Sequence, residues 1–238
     1  PKVADDIITA IKFVTKHNIS LIPRTAGTSL AGQCVGEGII LDFSKYFNAI
    51  IDFNEKEMKL WDITDPNQSK QLSSTTYNDV PSNNQYIHSG LGTDDNQFVL
   101  LHDEFDEYRG GLNTTVRIFS IEDLANPIQV GQWTGSTKAI DHNGFVRGNR
   151  YYMSNYERGL TILDITNAAE PQEVGFFDTY TPTNNASFNG AWGVSPFLPS
   201  GTILVSDINS GLYVLKDNAK DSAIGQFSFD SKQIATEQ

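Results

Sequence analysis

The spacing of apolar and polar residues changes near residue 54, and the segment before that point begins with a predicted helix. Apolar residues recur there at the spacing of one buried helical face. They are Ile7, Ile8, Ile11 and Val14. Asp5 precedes them as the predicted N-cap, and the helix is expected to end near Asn18.

Two short strands are predicted to follow this helix. The apolar run 19–22 predicts the first strand, which Pro23 is expected to end. A glycine-rich loop then leads to the second apolar run, 39–43. Residues 1–54 are therefore predicted to form a short α/β segment.

The chain after residue 54 shows no helical period, and short apolar runs alternate with turns rich in Asn, Asp, Gly and Pro. The run GNRYYMSNYERGLTIL at 148–163 aligns without a gap with SGTILVSDINSGLYVL at 200–215. A third copy is recognisable in 95–104 and 114–131, and a fourth, partial copy in 58–74. A repeat of roughly 45–58 residues that contains several strands is typical of propeller blades.

The repeats predict how the chain is organised. One small twisted sheet cannot bury both of its faces, so copies must stack around an axis. We expect a mainly β protein, with a partial or small β-propeller of three to four repeat units preceded by the α/β segment. The predicted boundaries are 1–54 for the α/β segment, 55–217 for the repeat domain and 218–238 for a C-terminal tail or closing strand.

Several longer motifs run through the repeat domain. They are YIHSG (86–90), LLHDEFDE (100–107), AIDHNGFVRGNRYYMSNYERGL (139–160), EVGFFDTY (173–180), FNGAWGVSPFLPSG (188–201) and SDINSGLYVL (206–215). With these motifs the domain resembles the LVIVD-repeat or choice-of-anchor B proteins, a group of bacterial secreted or surface-attached β-propellers. The resemblance implies a propeller fold and an extracytoplasmic location, which means secreted, periplasmic or at the cell surface. It implies no catalytic residue.

A different resemblance lies in residues 22–50, IPRTAGTSLAGQCVGEGIILDFSKYFNAI. This run is similar to the start of the FAD-binding domain of FAD-linked oxidases such as D-lactate dehydrogenase and glycolate oxidase subunits, which carry a P-R-G-x-G-T-S motif. The residues that would hold FAD by this resemblance are Pro23, Arg24, Ala26, Gly27, Thr28, Ser29, Gly32 and Gln33. Thr25 replaces a common glycine of the motif. Free glycine amides and the hydroxyls of Thr and Ser suit a diphosphate group.

Composition and charge narrow the classes of partner. The 238 residues are 39% hydrophobic and 19% charged, which predicts a folded chain. A formal net charge of −12 argues against nucleic acid and anionic membranes as partners. No apolar run approaches the length of about 18 residues that membrane insertion needs. Cys34 is the single cysteine, which excludes an internal disulfide framework.

Four carboxylates within five residues form a candidate metal site. They are Asp103, Glu104, Asp106 and Glu107. Clusters rich in oxygen suit a hard cation such as calcium, with His102 or Asp141 as additional ligands, although the run lacks the EF-hand pattern. The alternative is a solvated acidic turn between strands of a blade.

A candidate ligand site is expected at the propeller channel. His88 and His142 occupy equivalent positions at the start of successive repeats, and Trp192 lies near the same position in the next one. Because the first strand of each blade lines the channel, the two histidines, together with Asn143, are predicted to face a shared cavity as ligands or acid–base groups. The alternatives are that each histidine holds a turn by hydrogen bonding and that Trp192 belongs to the core.

These observations favour an extracytoplasmic β-propeller module without catalytic activity of its own. It would bind a protein, a glycan or a small ligand through its channel face and loops. No cofactor is expected for this function, and FAD and calcium are the candidates that the motifs raise. The first alternative is an FAD-linked oxidoreductase of the 2-hydroxy-acid dehydrogenase type, in which residues 1–54 supply part of the flavin site. The second is a metal-dependent propeller enzyme that uses the histidines and the acidic run.

Overall fold

The computed structural model describes residues 1–27, 34–47, 54–65 and 68–217, and the backbone of 232–234. The chain divides into two compact units. The first consists of Pro1–Asn54 and Trp61–Lys70, and the second of Glu55–Leu60 and Gln71–Gln238. Within the described ranges, neither helix has the length and apolar character that a membrane span requires.

The first unit begins with helix α1, Ala4–His17. Its N-cap is Val3 and not the predicted Asp5, because the Asp6 carboxylate turns back and accepts hydrogen bonds from the amides of Lys2 (2.6 Å) and Val3 (3.2 Å). The helix ends at Asn18, a left-handed C-cap with φ of 51°. The apolar face is less buried than predicted, since Val14 is the one helical residue that is fully buried.

Strands β1, Leu21–Arg24, and β2, Ile39–Asp42, pair in parallel, with Leu21 opposite Ile39. The first strand was predicted over 19–22 with Pro23 ending it, and it instead begins at Leu21 and includes both Pro23 and Arg24. Proline is tolerated there because both strands of a two-stranded sheet are edge strands. The amide donor that proline lacks is therefore not needed for hydrogen bonding to a second neighbouring strand.

The second unit consists almost entirely of antiparallel sheet. A two-stranded sheet comes first, formed by β3 (Met58–Asp62) and β4 (Lys70–Thr75), and most of its residues belong to this unit. Three four-stranded sheets follow, each with its strands in chain order. Their strands are β5 (Ile87–Gly92), β6 (Phe98–Asp103), β7 (Thr115–Ser120) and β8 (Ile128–Thr134); β9 (Asn143–Arg147), β10 (Arg150–Asn155), β11 (Gly159–Asp164) and β12 (Gln172–Phe177); and β13 (Ala191–Ser195), β14 (Thr202–Asp207), β15 (Gly211–Lys216) and β16 (Lys232–Ile234). The predicted mainly β fold with three to four propeller-type repeats is confirmed.

The sheets stack through two layers of buried side chains, which explains why every residue of β10 is buried. Tyr151 and Met153 point from one face of β10 into a core shared with Leu100 and Ile118 of the preceding sheet. Alternate residues of β10 and β11 point the other way and pack against β13 and β14 of the next sheet. Each four-stranded sheet is therefore one blade.

The first strands of the blades are neighbours. β9 lies beside both β5 and β13, so these three inner strands present their side chains to a common region. One helix interrupts the β structure, contrary to the sequence analysis. It is α2, Asp106–Gly110, between β6 and β7. At five residues it is too short to produce a visible apolar period.

Candidate functional site

Side chains from the three inner strands meet at one point. His88 lies on β5, His142 immediately precedes β9, and Trp192 lies on β13. The ring centroids of the two histidines are 4.6 Å apart, and those of His142 and Trp192 are 5.0 Å apart. The residues predicted to face a shared cavity are thus brought together by the structure.

Glu104 joins these rings from the end of β6. One of its carboxylate oxygens, Oε2, lies 3.3 Å from Nδ1 of His88, and the other, Oε1, lies 3.8 Å from Nε2 of His142. The hydroxyl of Tyr156 donates a hydrogen bond of 2.7 Å to Oε1. His88, Glu104, His142 and Trp192 are called the inner-strand site below.

The protonation state of His142 follows from its hydrogen bond. Its Nδ1 contacts the backbone carbonyl of Trp192, which can only accept a hydrogen bond, so Nδ1 carries the proton. The bare Nε2 then faces Glu104. Burial of the ring, together with the nearby His88, lowers the pKa of His142 to about 4, so the ring is neutral at pH 7.

Two further residues hold this geometry in place. The Ser154 hydroxyl contacts the Trp192 carbonyl (3.2 Å) and donates to the side-chain oxygen of Asn143 (2.8 Å). Asn143 was predicted to face the channel ligand, and the structure places its side chain in the hydrogen bond with Ser154.

Tyr156 has a positive φ of 29°, which is uncommon for an aromatic residue and indicates a tightly constrained position.

Aromatic side chains form a wall beside the inner-strand site. Phe188 packs edge-on against Tyr156 (5.3 Å) and Phe105 (6.1 Å), and Phe105 packs against Tyr86 (4.5 Å). Phe188 remains 41% exposed, and its neighbour Tyr108 is 61% exposed. The sequence alone did not predict this wall or the role of Tyr156, because most of these residues lie in loops outside the aligned strand positions. Their aromatic character was the available signal.

The four carboxylates predicted to form one metal site do not do so. The run passes from β6 into α2, so successive side chains point into different environments. Asp103 accepts hydrogen bonds from the Tyr77 hydroxyl and from the amides of Tyr86 and Phe105 (both 2.9 Å). Glu104 belongs to the inner-strand site. All four side chains are buried, so the alternative of a solvated turn is also wrong.

Asp106 and Glu107 come together with Asp141 in a buried group, called the carboxyl cluster below, whose ligand atoms lie within 4.8 Å of one another. Asp106 is paired with Arg117 at 2.7 Å, whereas the side-chain hydrogen-bond partner of Glu107 is another carboxyl group, that of Asp106. Burial and the neighbouring carboxylates raise the pKa of Glu107 and of Asp141 well above their usual range. Burial also raises the pKa of Asp106 to about 6.

His102, considered above as an additional metal ligand, is buried beside the carboxyl cluster. Its Nδ1 lies 3.2 Å from Oδ2 of Asp141, and its Nε2 contacts the hydroxyl of Tyr151. Burial lowers the pKa of His102 to about 3, so this imidazole is neutral. It bridges the first and second blades without reaching the inner-strand site.

The residues predicted to hold FAD are described in part. Pro23 and Arg24 end β1, and Ala26 and Gly27 lie in the loop that follows it. Gly27 has a φ of +72°, and among the described residues the one atom within 4 Å of where its Cβ would be belongs to the Arg24 side chain. Thr28, Ser29, Gly32 and Gln33 lie outside the described residues.

Two observations bear on whether this loop fits a diphosphate. A bare backbone in the left-handed conformation at Gly27 fits a close approach by phosphate oxygens. Arg24, however, is paired with Asp42 at 2.9 Å, and its charge is neutralised there. Hydrogen bonds from Ser44 and Arg24 keep the pKa of Asp42 well below its usual range. The described residues therefore fit a backbone cradle, with Arg24 engaged elsewhere.

Comparisons with known proteins place the two segments in different groups. A family model described as an FAD binding domain matches residues 1–61. D-lactate dehydrogenase [cytochrome], mitochondrial, from Kluyveromyces lactis is 36% identical over an alignment of 62 residues that covers 24% of this chain and 11% of that enzyme. The resemblance of the first segment to FAD-linked oxidases is thereby confirmed for that segment.

The solved structures extend the comparison to the repeats. A crystal structure of a protein from Lactobacillus plantarum has a TM-score of 0.57 and 16% identity, and it covers 77% of this chain. This chain spans 52% of that protein. The neighbour is of the propeller type, which confirms the fold. The closer resemblance of the repeat domain to LVIVD-repeat proteins stays a prediction.

Proposed function

We propose that the second unit is a β-propeller-type binding module without catalytic activity of its own, and that it works outside the cytoplasm. Its ligand, a glycan, a protein segment or a small molecule, occupies the inner-strand site and the aromatic wall. The observation that carries this proposal is the convergence of His88, His142 and Trp192 from three successive inner strands.

The surface chemistry favours a ligand with a flat apolar face and hydroxyl groups, such as a sugar. The exposed rings of Phe188 and Tyr108 offer apolar faces for stacking. Glu104 and the partly exposed His88 offer polar atoms beside them. Aromatic platforms next to a few polar groups of fixed orientation are typical of specific binding sites.

Removal of one exposed ring tests the proposal. We expect the labelled chain to bind members of a panel of neutral oligosaccharides or random peptides, and Phe188→Ala to weaken that binding at least tenfold. A single lost stacking contact of about 1.5 kcal/mol corresponds to that factor. Phe197→Ala is the matched control, because Phe197 is also exposed and lies beyond the opposite end of β13.

Two outcomes would contradict the binding proposal. One is that no glycan or peptide of the panel is retained by the folded chain. The other is that Phe188→Ala and Phe197→Ala weaken binding equally, which would place the ligand elsewhere.

The second candidate function is an FAD-linked oxidoreductase of the 2-hydroxy-acid dehydrogenase type. It is supported by the FAD-binding match to residues 1–61 and by the backbone at Gly27. Flavin would supply the hydride chemistry when bound, and the loop after β1 would hold its diphosphate. A visible absorption spectrum of the desalted protein distinguishes the two candidate functions. Flavin absorption that stays with the chain, and is lost in Gly27→Val, would favour the oxidoreductase over the binding module.

A further inference from the structure

We propose that His88, Glu104 and His142 bind a divalent transition-metal ion of the Zn²⁺ type. The ligand atoms are Nδ1 of His88, the Glu104 carboxylate and Nε2 of His142. This inference deepens the proposed function, because the ion would occupy the same inner-strand site and present an open coordination position to the ligand there.

The spacing of the three groups fits such an ion. Their ligand atoms lie within 4.8 Å of one another. Ligands at about 2.1 Å from a tetrahedral Zn²⁺ are separated by about 3.4 Å. The distance from His88 Nδ1 to Glu104 Oε2 is 3.3 Å, and that from His142 Nε2 to Glu104 Oε1 is 3.8 Å. Each of these two distances lies within about half an ångström of that tetrahedral separation.

The tautomer of His142 gives an independent reason. Its Nδ1–H is directed at the Trp192 carbonyl, which leaves the lone pair of Nε2 facing a carboxylate oxygen. Two electron-rich atoms that face each other repel unless a proton, a water molecule or a cation lies between them. A histidine that donates one ring N–H to a backbone carbonyl while the other nitrogen binds the ion is also the usual arrangement of metal ligands in proteins.

The surrounding contacts hold the ligands in place before any ion binds. Tyr156 donates to Glu104, and Ser154 contacts the same carbonyl that orients His142. The side chains of Glu104 and His142 are 11% and 5% exposed, whereas His88 is 28% exposed. The site is therefore enclosed by protein on most sides and reachable from the side of His88.

The choice of ion follows from the donor atoms. Calcium takes six to eight oxygen ligands, and two of the three groups here offer nitrogen. Imidazole and carboxylate together favour Zn²⁺ and its neighbours in the first transition series. Three protein ligands leave a position open, where a hydroxyl or carboxylate oxygen of a bound molecule can coordinate.

Cobalt titration tests the inference on the full chain. The starting protein is metal-free Cys34→Ser, since the free thiol of Cys34 could bind the probe by itself. We expect Co²⁺ to produce visible absorption that saturates at one ion per chain and disappears on addition of one equivalent of Zn²⁺. Added Ca²⁺ is expected to leave the absorption unchanged.

Variants assign the site. His88→Ala and His142→Ala are expected to remove the saturable absorption, and Tyr156→Phe to weaken Co²⁺ binding about tenfold, because it removes a hydrogen bond that orients a ligand. His17→Ala is the control, since His17 is exposed on α1 in the first unit. Circular dichroism confirms that each variant is folded. His88→Ala is the most informative of them, because His88 is partly exposed and its removal leaves the core intact.

Two results would overturn the inference. One is the absence of saturable Co²⁺ absorption in folded protein, and the other is equal binding by His88→Ala, His142→Ala and the parent. Repeating the oligosaccharide and peptide panel with and without Zn²⁺ separates the two proposals. Metal binding without any panel ligand would leave the ion site standing and refute the binding module, and ligand binding by protein that shows no saturable Co²⁺ absorption would leave the binding module standing and refute the ion site.

Discussion

At the scale of single residues, the neighbourhood of α2 contains two kinds of buried carboxylate. Asp103 accepts hydrogen bonds from three neutral donors, whereas Glu107 is buried against the carboxyl groups of Asp106 and Asp141 and is hydrogen-bonded to the first of them. A buried charge without a partner costs free energy of folding, and a fully bonded one contributes to it. The two residues are therefore expected to respond to neutralisation in opposite directions.

We expect Glu107→Gln to raise the free energy of unfolding at pH 8 by about 1–3 kcal/mol, which is the usual cost of an unsatisfied buried polar group. The folded pKa of Glu107 is raised, so the folded state binds more protons than the unfolded state above the ordinary value of 4.5. Stability of the parent must then fall as pH rises through that raised pKa. The gain in Glu107→Gln should be small near pH 4.5 and largest at alkaline pH.

Urea unfolding between pH 4.5 and 8 in the presence of chelator measures this effect. Asp103→Asn is the matched control, and it is expected to lower stability by about 1–3 kcal/mol because the Asn amide cannot accept all of the bonds that Asp103 accepts. A loss of stability in Glu107→Gln that does not vary with pH would show that the Glu107 carboxylate is paired after all.

At the scale of elements, tight turns fix how the strands of a blade meet. Gly159 begins β11 with a φ of +83°, and a Cβ there would lie 2.1 Å from the carbonyl oxygen of Phe177 on β12. Gly148, in the β9–β10 turn of the same blade, also has a positive φ, of 59°, but a Cβ there would meet no atom of the described residues within 4 Å. Alanine substitutions at Gly148 and Gly159 therefore separate the free-energy cost of a strained backbone conformation from the additional cost of a steric clash.

Gly159→Ala is expected to lower the free energy of unfolding by about 3 kcal/mol or more, since it combines a strained φ with a backbone clash. Gly148→Ala should cost about 1–2 kcal/mol, from the strained φ alone. Thermal and urea unfolding of the two variants provide the comparison. Equal effects would mean that β12 moves away freely, contrary to the close packing of the blade.

The elements differ in how well the sequence predicts them. The repeat alignment predicted the blades because apolar alternation persists over strands of five or six residues, as in 148–163. It missed α2, which is too short for a period, and it chose Asp5 as a helix cap because side-chain direction at a helix start depends on local backbone geometry. His88, His142 and Trp192 could be grouped by their repeat positions. Glu104 could not be separated from its neighbours, because the chain turns from β6 into α2 within the acidic run.

At the scale of the whole molecule, the chain joins two units with different relatives. Residues 1–61 match an FAD binding domain, and the solved propeller-type neighbour covers 77% of the chain. The D-lactate dehydrogenase relative aligns with this chain over 62 residues at 36% identity, and the alignment covers 11% of that enzyme. The proposed function therefore rests on the inner-strand site, to which three blades contribute side chains.

The most direct test of that constellation is the protonation state of His142. The chain contains four histidines, so long-range proton–nitrogen NMR spectra of the metal-free protein resolve few rings, and the signals that disappear in His142→Ala assign the relevant one. The account predicts a neutral ring protonated at Nδ1 at pH 7, since its pKa is lowered to about 4 and its Nδ1 is bonded to the Trp192 carbonyl. A charged imidazolium, or a proton on Nε2, at pH 7 would contradict the geometry on which both the ligand site and the metal site depend.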